Sequence, residues 1–138
     1  MTQEDVLEAM RESLAAHLPG RYVQRSLMDP STEKNERLAD GVLCLVATGG
    51  GSFANWLGRA GELGTVNVTL VGYVKVADKS EPVEVERAEL AMLADVLGWC
   101  QLAKPEPLDD VYPQSWRTSK QLTHPVGWLA LDLDVRNV

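Results

Sequence analysis

Cysteine, histidine and aromatic residues are scarce in this sequence. Among 138 residues there are 2 cysteines and 2 histidines, and Phe, Tyr and Trp together make up 6%. Cys44 and Cys100 stand far apart in the chain, so they form neither a CxxC redox pair nor a zinc-ligand set. We expect both to be buried, reduced thiols that pack as small hydrophobic side chains.

Positive charge is the second shortage. The chain carries 13 lysines and arginines against 20 aspartates and glutamates, a formal net charge of −7. Because holding nucleic-acid phosphates requires clustered Lys and Arg, this balance argues against a nucleic-acid binder. The longest apolar run, Val42–Ala47, is far shorter than the roughly 20 residues of a membrane-spanning helix. Acidic residues follow Met1 where a signal peptide would be basic, and we therefore expect a cytoplasmic protein.

The length fits a single domain, residues 1–138. A folded chain of this size buries roughly two-thirds of the surface that its unfolded form exposes, which is enough for one hydrophobic core. Hydrophobic residues make up 45% of the sequence, and this fraction excludes collagen-like and wholly disordered proteins.

Two segments have the spacing and the boundary residues of amphipathic helices. The first begins at Thr2, which together with Asp5 resembles a capping box, and it ends before Pro19. The second covers Pro82–Leu102, where proline suits the first turn and the broad apolar surface is typical of a helix lying on a sheet. We interpret the glutamates of this second helix as a solvent-exposed face.

Several segments predict strands. Val42–Thr48 is an unbroken apolar run, which predicts a strand buried on both faces that ends at the following glycines. Trp128–Val135 alternates between apolar and polar residues, as a half-buried strand does. Weaker patterns indicate two further strands and a mobile loop, at Arg21–Met28, Trp116–Ser119 and Asp29–Gly41 respectively.

Thr65–Ala77 is the clearest strand and also the longest. At about 3.3 Å per residue it spans roughly 40 Å, whereas a compact domain of this size has a diameter of around 37 Å. The strand therefore crosses the whole body, bends at Gly72, or projects as half of a hairpin arm. The order of elements predicts an α+β fold, a mainly antiparallel mixed sheet with two helices packed on one face.

The sequence lacks the usual motifs for nucleotide binding and nucleophilic catalysis. Its Gly49–Ser52 run has no P-loop lysine, and no GxSxG occurs. His17 and His124 lie near a helix end and at a turn, without the neighbours of a general base. Asp132 and Asp134 share one face of the last strand, which fits either a divalent-cation site or a solvated strand face. We expect no cofactor and no enzymatic activity.

Two of the four tryptophans fall outside any periodic pattern. Trp99 and Trp128 fit a helix and a strand, but Trp56 and Trp116 lie in glycine-rich or polar segments. Large aromatic side chains in such segments often anchor interfaces, because they bury a large area when a partner binds. The alternative is that each ring folds back into the core.

Five elements carry a resemblance to a known family, in this order: helix Thr2–Leu18, strand Val42–Thr48, long strand Val66–Val76, acidic-start helix Val83–Leu102 and closing strand Trp128–Val135. This order resembles the small α+β tail-completion proteins of long-tailed bacteriophages, specifically the lambda-type minor tail protein U or tail terminator family. The resemblance covers nearly the whole chain as a pattern, includes no invariant motif, and matches Pro105–Gln121 less readily.

The resemblance implies a protein without a catalytic site that acts in virion assembly. Such proteins form hexameric rings that cap the growing tail tube and join it to the head connector, first in the cytoplasm of the bacterial host and then in the virion tail. The implied partners are other copies of the chain, the tail-tube protein and the connector. Neither sequence-specific nucleic acid nor a membrane is implied.

Side chains of the two irregular segments and of the long strand are the candidate interface residues: Phe53, Trp56, Leu57, Arg59, Tyr73, Trp116 and Arg117. One alternative is a small-molecule or peptide-binding module in which the Gly49–Gly64 loop and Trp56 form a lid. Another is an enzyme that uses a metal ion held by Asp132 and Asp134.

Overall fold

The computed structural model describes residues 2–30, 35–51, 64–102 and 110–136. The chain has an α+β fold, as predicted, in which helices pack on a five-stranded mixed sheet. The elements run in the order α1 (Gln3–His17), β1 (Tyr22–Gln24), α2 (Asn35–Asp40), β2 (Val42–Gly51), β3 (Thr65–Lys75), α3 (Pro82–Leu102), β4 (Asp110–Thr118) and β5 (Val126–Arg136).

The strand order in the sheet is β1-β2-β3-β5-β4. Only β1 and β2 run parallel, and every other neighbouring pair is antiparallel. The long strand β3 is central: all of Thr65–Lys75 pairs with β5, and Thr65–Tyr73 also pairs with β2. Its 11 residues span about 36 Å. Of the three alternatives for this strand, the described residues therefore favour crossing the whole body of the sheet.

Both predicted helices form between the expected boundaries. At the start of α1, the Asp5 amide donates to Thr2 Oγ1 at 3.2 Å, and the Thr2 amide donates to Asp5 Oδ2 at 2.8 Å. This capping box lowers the pKa of Asp5, mainly through the bond from the Thr2 backbone. Helix α3 covers Pro82–Leu102, the predicted range.

The main hydrophobic core lies between these two helices and one face of the sheet, here called the helix side. Trp99 of α3 is fully buried in it, and the indole Nε1 donates to Ser13 Oγ of α1 at 3.0 Å. The core includes side chains of both helices and of strands β2 to β5, among them Met10, Leu14, Leu43, Leu70, Met92, Val96, Leu131 and Leu133.

The opposite side of the sheet, here called the second face, carries a short helix that the sequence reasoning missed. The segment predicted as a mobile loop contains α2, whose Leu38 is buried. Val23 of β1 packs on the main core, so its neighbour Tyr22 points to the second face. The Arg37 guanidinium of α2 stacks over the Tyr22 ring, 4.7 Å from its centroid. Helix α2 therefore lies on the second face, where it contacts β3 and reaches Tyr22 of β1 through Arg37.

Strand β2 does not end at the glycine run as predicted. It continues through Gly51, with a bulge between Ala47 and Gly49, and pairs with β3 up to Thr65. A Cβ at Gly50 would lie 2.5 Å from the Thr65 carbonyl oxygen, so glycine allows the two backbones to approach. Burial on both faces is confined to Val42–Leu45. Strand β1 is also shorter than predicted, while β4 and β5 are longer.

Candidate functional site

Three of the six large exposed hydrophobic side chains among the described residues lie at the β4 edge of the sheet. Tyr112 and Trp116 on β4 are 53% and 52% exposed, and Leu122 in the following turn is 83% exposed. Together with Arg117, whose side chain is also exposed, these residues are here called the edge surface. The alternative in which the Trp116 ring folds into the core is therefore wrong.

The exposed rings lie on both sides of β4. Trp116 is paired with Leu131, a core residue, and so lies on the helix side. Tyr112 is paired with Asp134 and lies on the second face. Because β4 ends the sheet, both rings stand beside a strand edge whose outward backbone groups no strand of the described sheet covers.

The hydrogen-bond alternation fixes which backbone groups of β4 face outward. The Ser119 amide donates to the Trp128 carbonyl at 3.2 Å, so these two residues face each other as a hydrogen-bonded pair. In an antiparallel ladder such pairs alternate, so the backbone N–H and C=O groups of Arg117 also point toward β5. The N–H and C=O groups of Trp116 and Thr118 therefore point away from β5, toward the free edge.

The other half of the β4 edge is protected. Pro113 has no N–H to offer, and a β-bulge interrupts the register between Pro113 and Ser115. Proline and bulges are common devices by which edge strands avoid uncontrolled pairing. Within the described sheet, the part of this edge that lacks such protection is the short stretch from 114 to 118.

The turn after β4 has an unusual backbone. Lys120 and Gln121 have positive φ angles of 57° and 66°, and the Leu122 amide donates to the Ser119 carbonyl at 3.1 Å. This is the geometry of a type I′ turn, built here without the glycine or asparagine that usually favours it. Such a conformation persists when the surrounding structure stabilises it. Here the stabilising contacts come from helix α3.

Glu89 of α3 is the group that holds the turn. Its Oε2 accepts hydrogen bonds from the Ser119 amide at 3.2 Å, the Ser119 hydroxyl at 2.6 Å and the Trp128 amide at 3.0 Å. Glu89 is fully buried, so its assignment to a solvent-exposed face is wrong. The signal was its spacing, since buried Val85 and Met92 lie four residues before and three residues after it.

A polar cluster centred on Asp132 lies on the second face, across strands β3, β5 and β4. Asp132 accepts hydrogen bonds from Thr69 Oγ1 at 2.7 Å and from Ser115 Oγ at 3.2 Å, and Arg117 Nη1 lies 3.3 Å from the same carboxylate. The bond from Thr69 is the main cause that lowers the pKa of Asp132, with Ser115 and Arg117 adding to it. The cluster thereby ties β3, β5 and β4 together.

The lowered pKa of Asp132 predicts a loss of stability in acid. A carboxyl group with a depressed pKa in the folded protein stabilises it above the unfolded pKa, and this contribution disappears as pH falls through the folded value. We expect Asp132→Asn to destabilise the protein at pH 6, and the difference from the wild type to shrink as the pH falls below 3.8, the ordinary carboxyl pKa.

Denaturant unfolding of both proteins across that pH range measures the effect. Thr69→Val is the matched variant, because it removes the main donor and should reduce the same acid dependence. A difference between wild type and Asp132→Asn that stays constant from pH 6 to pH 2 would contradict the prediction.

The carboxylate pair offers little to a metal ion. Asp132 and Asp134 do share the second face, as predicted. However, Thr69, Ser115 and Arg117 donate to Asp132, and Gln114 Nε2 donates to Asp134 Oδ2 at 2.9 Å. In the part of the chain that the structure describes, no group of three or more His, Cys, Asp or Glu residues could hold a metal ion.

The predicted interface residues are only partly brought together. Tyr73 and Arg117 share the second face but lie on β3 and β4, with β5 between them, and Trp116 is on the helix side. Tyr73 is half-buried, and this burial raises the pKa of its hydroxyl. Four other predicted residues lie outside the described residues: Phe53, Trp56, Leu57 and Arg59.

Two of the shallow clefts in the described part of the chain stand away from the edge surface. The larger, about 440 Å³, lies beside the end of α1, where Arg21 binds Asp95 at 2.8 Å and the Asp40 carbonyl at 3.0 Å. Arg21 and Asp95 already neutralise each other as an ion pair, so they give no support to a ligand-binding module in this cleft. The lid predicted for such a module is the Gly49–Gly64 loop with Trp56. Gly49–Gly51 are part of strand β2 instead, and 52–63, with Trp56, lie outside the described residues.

Comparison with known proteins adds no family assignment. No protein-family model matches the chain, and a search of curated proteins finds no significant relative. Within the described residues, no helix has the length and hydrophobicity needed to span a membrane.

Proposed function

We propose that this chain is a non-catalytic assembly protein of a bacteriophage or prophage tail, which binds protein partners through the edge surface. The observation that carries the proposal is the exposure of Tyr112, Trp116 and Leu122 around one strand edge. Aromatic side chains are enriched among the residues that dominate binding energy at protein interfaces. Their rigid support by β5 and Glu89 lowers the ordering cost of binding.

The finer proposal is a tail terminator that forms a hexameric ring between the tail tube and the head connector. It is supported by the resemblance described above: the five elements that carry it form as α1, β2, β3, α3 and β5, in that order, with β1, α2 and β4 between them. The net charge of −7 is compatible with this role, because an acidic ring lumen would repel DNA phosphates and let DNA pass.

A tube-polymerisation assay tests the proposal. Tail-tube protein encoded by the same genome is polymerised with and without this chain, and tube lengths and end-bound rings are measured by electron microscopy. We expect the wild type to shorten the tubes and to appear at their ends. Tubes of unchanged length without bound protein would contradict the function.

A paired substitution tests the edge surface. We expect Trp116→Ala to weaken tube binding about tenfold or more, as truncation of an interface hot spot does. Leu90→Ala is the matched control, since Leu90 is an exposed hydrophobic residue on α3. Equal binding by the two variants would remove the edge surface from the proposal while leaving the tube assay to decide the function.

A further inference from the structure

We infer that the unassembled protein forms a two-fold dimer in which the β4 edges of two copies pair antiparallel, with Trp116 at the centre. The inference goes beyond the proposed function. A two-fold contact closes on itself and cannot continue around a ring. It describes what occupies the edge surface before any tail partner binds.

The first argument is the chemistry of the free edge. Trp116 and Thr118 present outward N–H and C=O groups, and the groups that satisfy such a row are those of another extended strand. Trp116 is half exposed, so a partner strand that paired here would also cover an indole ring. The occupant is therefore a β-strand.

The second argument identifies that strand by excluding the other sheet edge. In β1 the Tyr22 amide donates to the Gly41 carbonyl at 3.0 Å, so Tyr22 faces β2. By alternation Gln24 also faces inward, which leaves Val23 as the one residue of β1 with outward groups. Because β1 offers outward groups at only one residue, the edge of a second copy best able to pair with residues 114–118 is its own β4.

Charge fixes the register of the pair. If Arg117 lay opposite Arg117 of the second copy, two like charges would be placed directly across from each other, which is unfavourable. Centring the pair on Trp116 instead sets Arg117 opposite Ser115 of the second copy. That serine already donates to Asp132 at 3.2 Å. Each Arg117 then approaches two Asp132 carboxylates, one from each copy.

Sedimentation over a concentration series is the first test. The wild type alone should pass from one chain of 15.1 kDa to twice that mass as its concentration rises, and Trp116→Ala should remain monomeric. A wild type that stays monomeric, or that forms only larger rings, would overturn the inference. The tube assay above would still decide the proposed function, so the two failures are distinguishable.

Cysteine crosslinking tests the register. In the inferred pair, residues 115 and 117 of the two copies form a non-hydrogen-bonded pair, whose Cα separation of about 4.5 Å suits a disulfide. A mixture of Ser115→Cys and Arg117→Cys should give a covalent dimer under mild oxidation, and neither variant should do so alone. Ala91→Cys on the exposed face of α3 controls for random collision. The native Cys44 and Cys100 are buried.

Each crosslinking result has a definite meaning. A covalent dimer from the mixture at a level well above the Ala91→Cys control supports the two-fold contact. A dimer from Ser115→Cys alone, in which both copies keep Arg117, would overturn the Trp116-centred register. A mixture that crosslinks no more than the control would overturn the pairing of β4 with β4.

Discussion

Glu89→Ala should lower the free energy of unfolding by about 3 kcal/mol or more. The substitution leaves the Trp128 amide without its Glu89 acceptor, while the Ser119 amide keeps the Trp128 carbonyl as its acceptor. Leaving a buried donor without a partner costs about 1–3 kcal/mol for each group. The Ser119 hydroxyl loses its acceptor as well.

The comparison variants separate this effect from a general weakening of α3. Glu86→Ala removes a less buried carboxyl of the same helix and should change stability by no more than about 0.5 kcal/mol. Glu89→Gln keeps an oxygen acceptor at the same place and should lose less than Glu89→Ala. Denaturant unfolding measures all three, and a Glu89→Ala protein within about 1 kcal/mol of the wild type would contradict the account.

The second large effect is expected at Gly127 of β5. A Cβ at this position would lie 2.6 Å from Val85 Cγ1 and 3.0 Å from Glu89 Oε2, so Gly127→Ala forces α3 away from the sheet. Overpacking of this kind typically costs about 1–3 kcal/mol. We expect that loss in unfolding free energy, together with a weaker hold on the turn after β4.

A second substitution tests the cause. Val85→Ala removes the closest clashing atom, so the double variant should be at least about 1 kcal/mol more stable than the sum of the single effects predicts. Gly98→Ala is the matched control on α3, because nothing lies within 4 Å of its added Cβ. That change should stabilise the helix by about 0.5–1 kcal/mol. Additive effects of Val85→Ala and Gly127→Ala would contradict the proposed clash.

The long elements were predictable because their signals are local. The capping box of Thr2 and Asp5 and the proline at 82 fix where α1 and α3 begin, and strict alternation identifies β3. Helix α2 escaped prediction because its six residues are too few to show a period and carry one deeply buried side chain, Leu38. Its stability depends on tertiary packing, as that of short helices generally does.

The extension of β2 and the role of Glu89 depend on long-range contacts. Glycines at 49–51 normally interrupt strands, yet pairing with β3 retains them in the sheet. Glu89 occupies a buried helical position because its hydrogen-bond donors, Ser119 and Trp128, come from segments 30 and 39 residues away. A sequence pattern shows the buried position but not the partners that make it tolerable for a carboxyl group.

The candidate site was only half predictable. Trp116 was singled out because it breaks periodicity, and the structure places it half exposed on an edge strand. Tyr112 and Leu122 gave no comparable signal, because their exposure follows from the position of β4 at the end of the sheet. Strand β4 ends the sheet because β5, rather than β4, pairs with β3. No local sequence pattern encodes which of the two strands pairs with β3.

The placement of β5 also has a consequence for biosynthesis. β5 follows the other strands in the chain, yet it lies between β3 and β4 and pairs with both. Thr65 can pair with Gly51 of β2 at once, but its partner in β5, Arg136, is translated only several seconds later at about 5–20 residues per second. A nascent chain that has already paired β3 with β2 therefore leaves the opposite edge of β3 without a partner strand during that interval, when a chaperone that binds strand edges would be most effective.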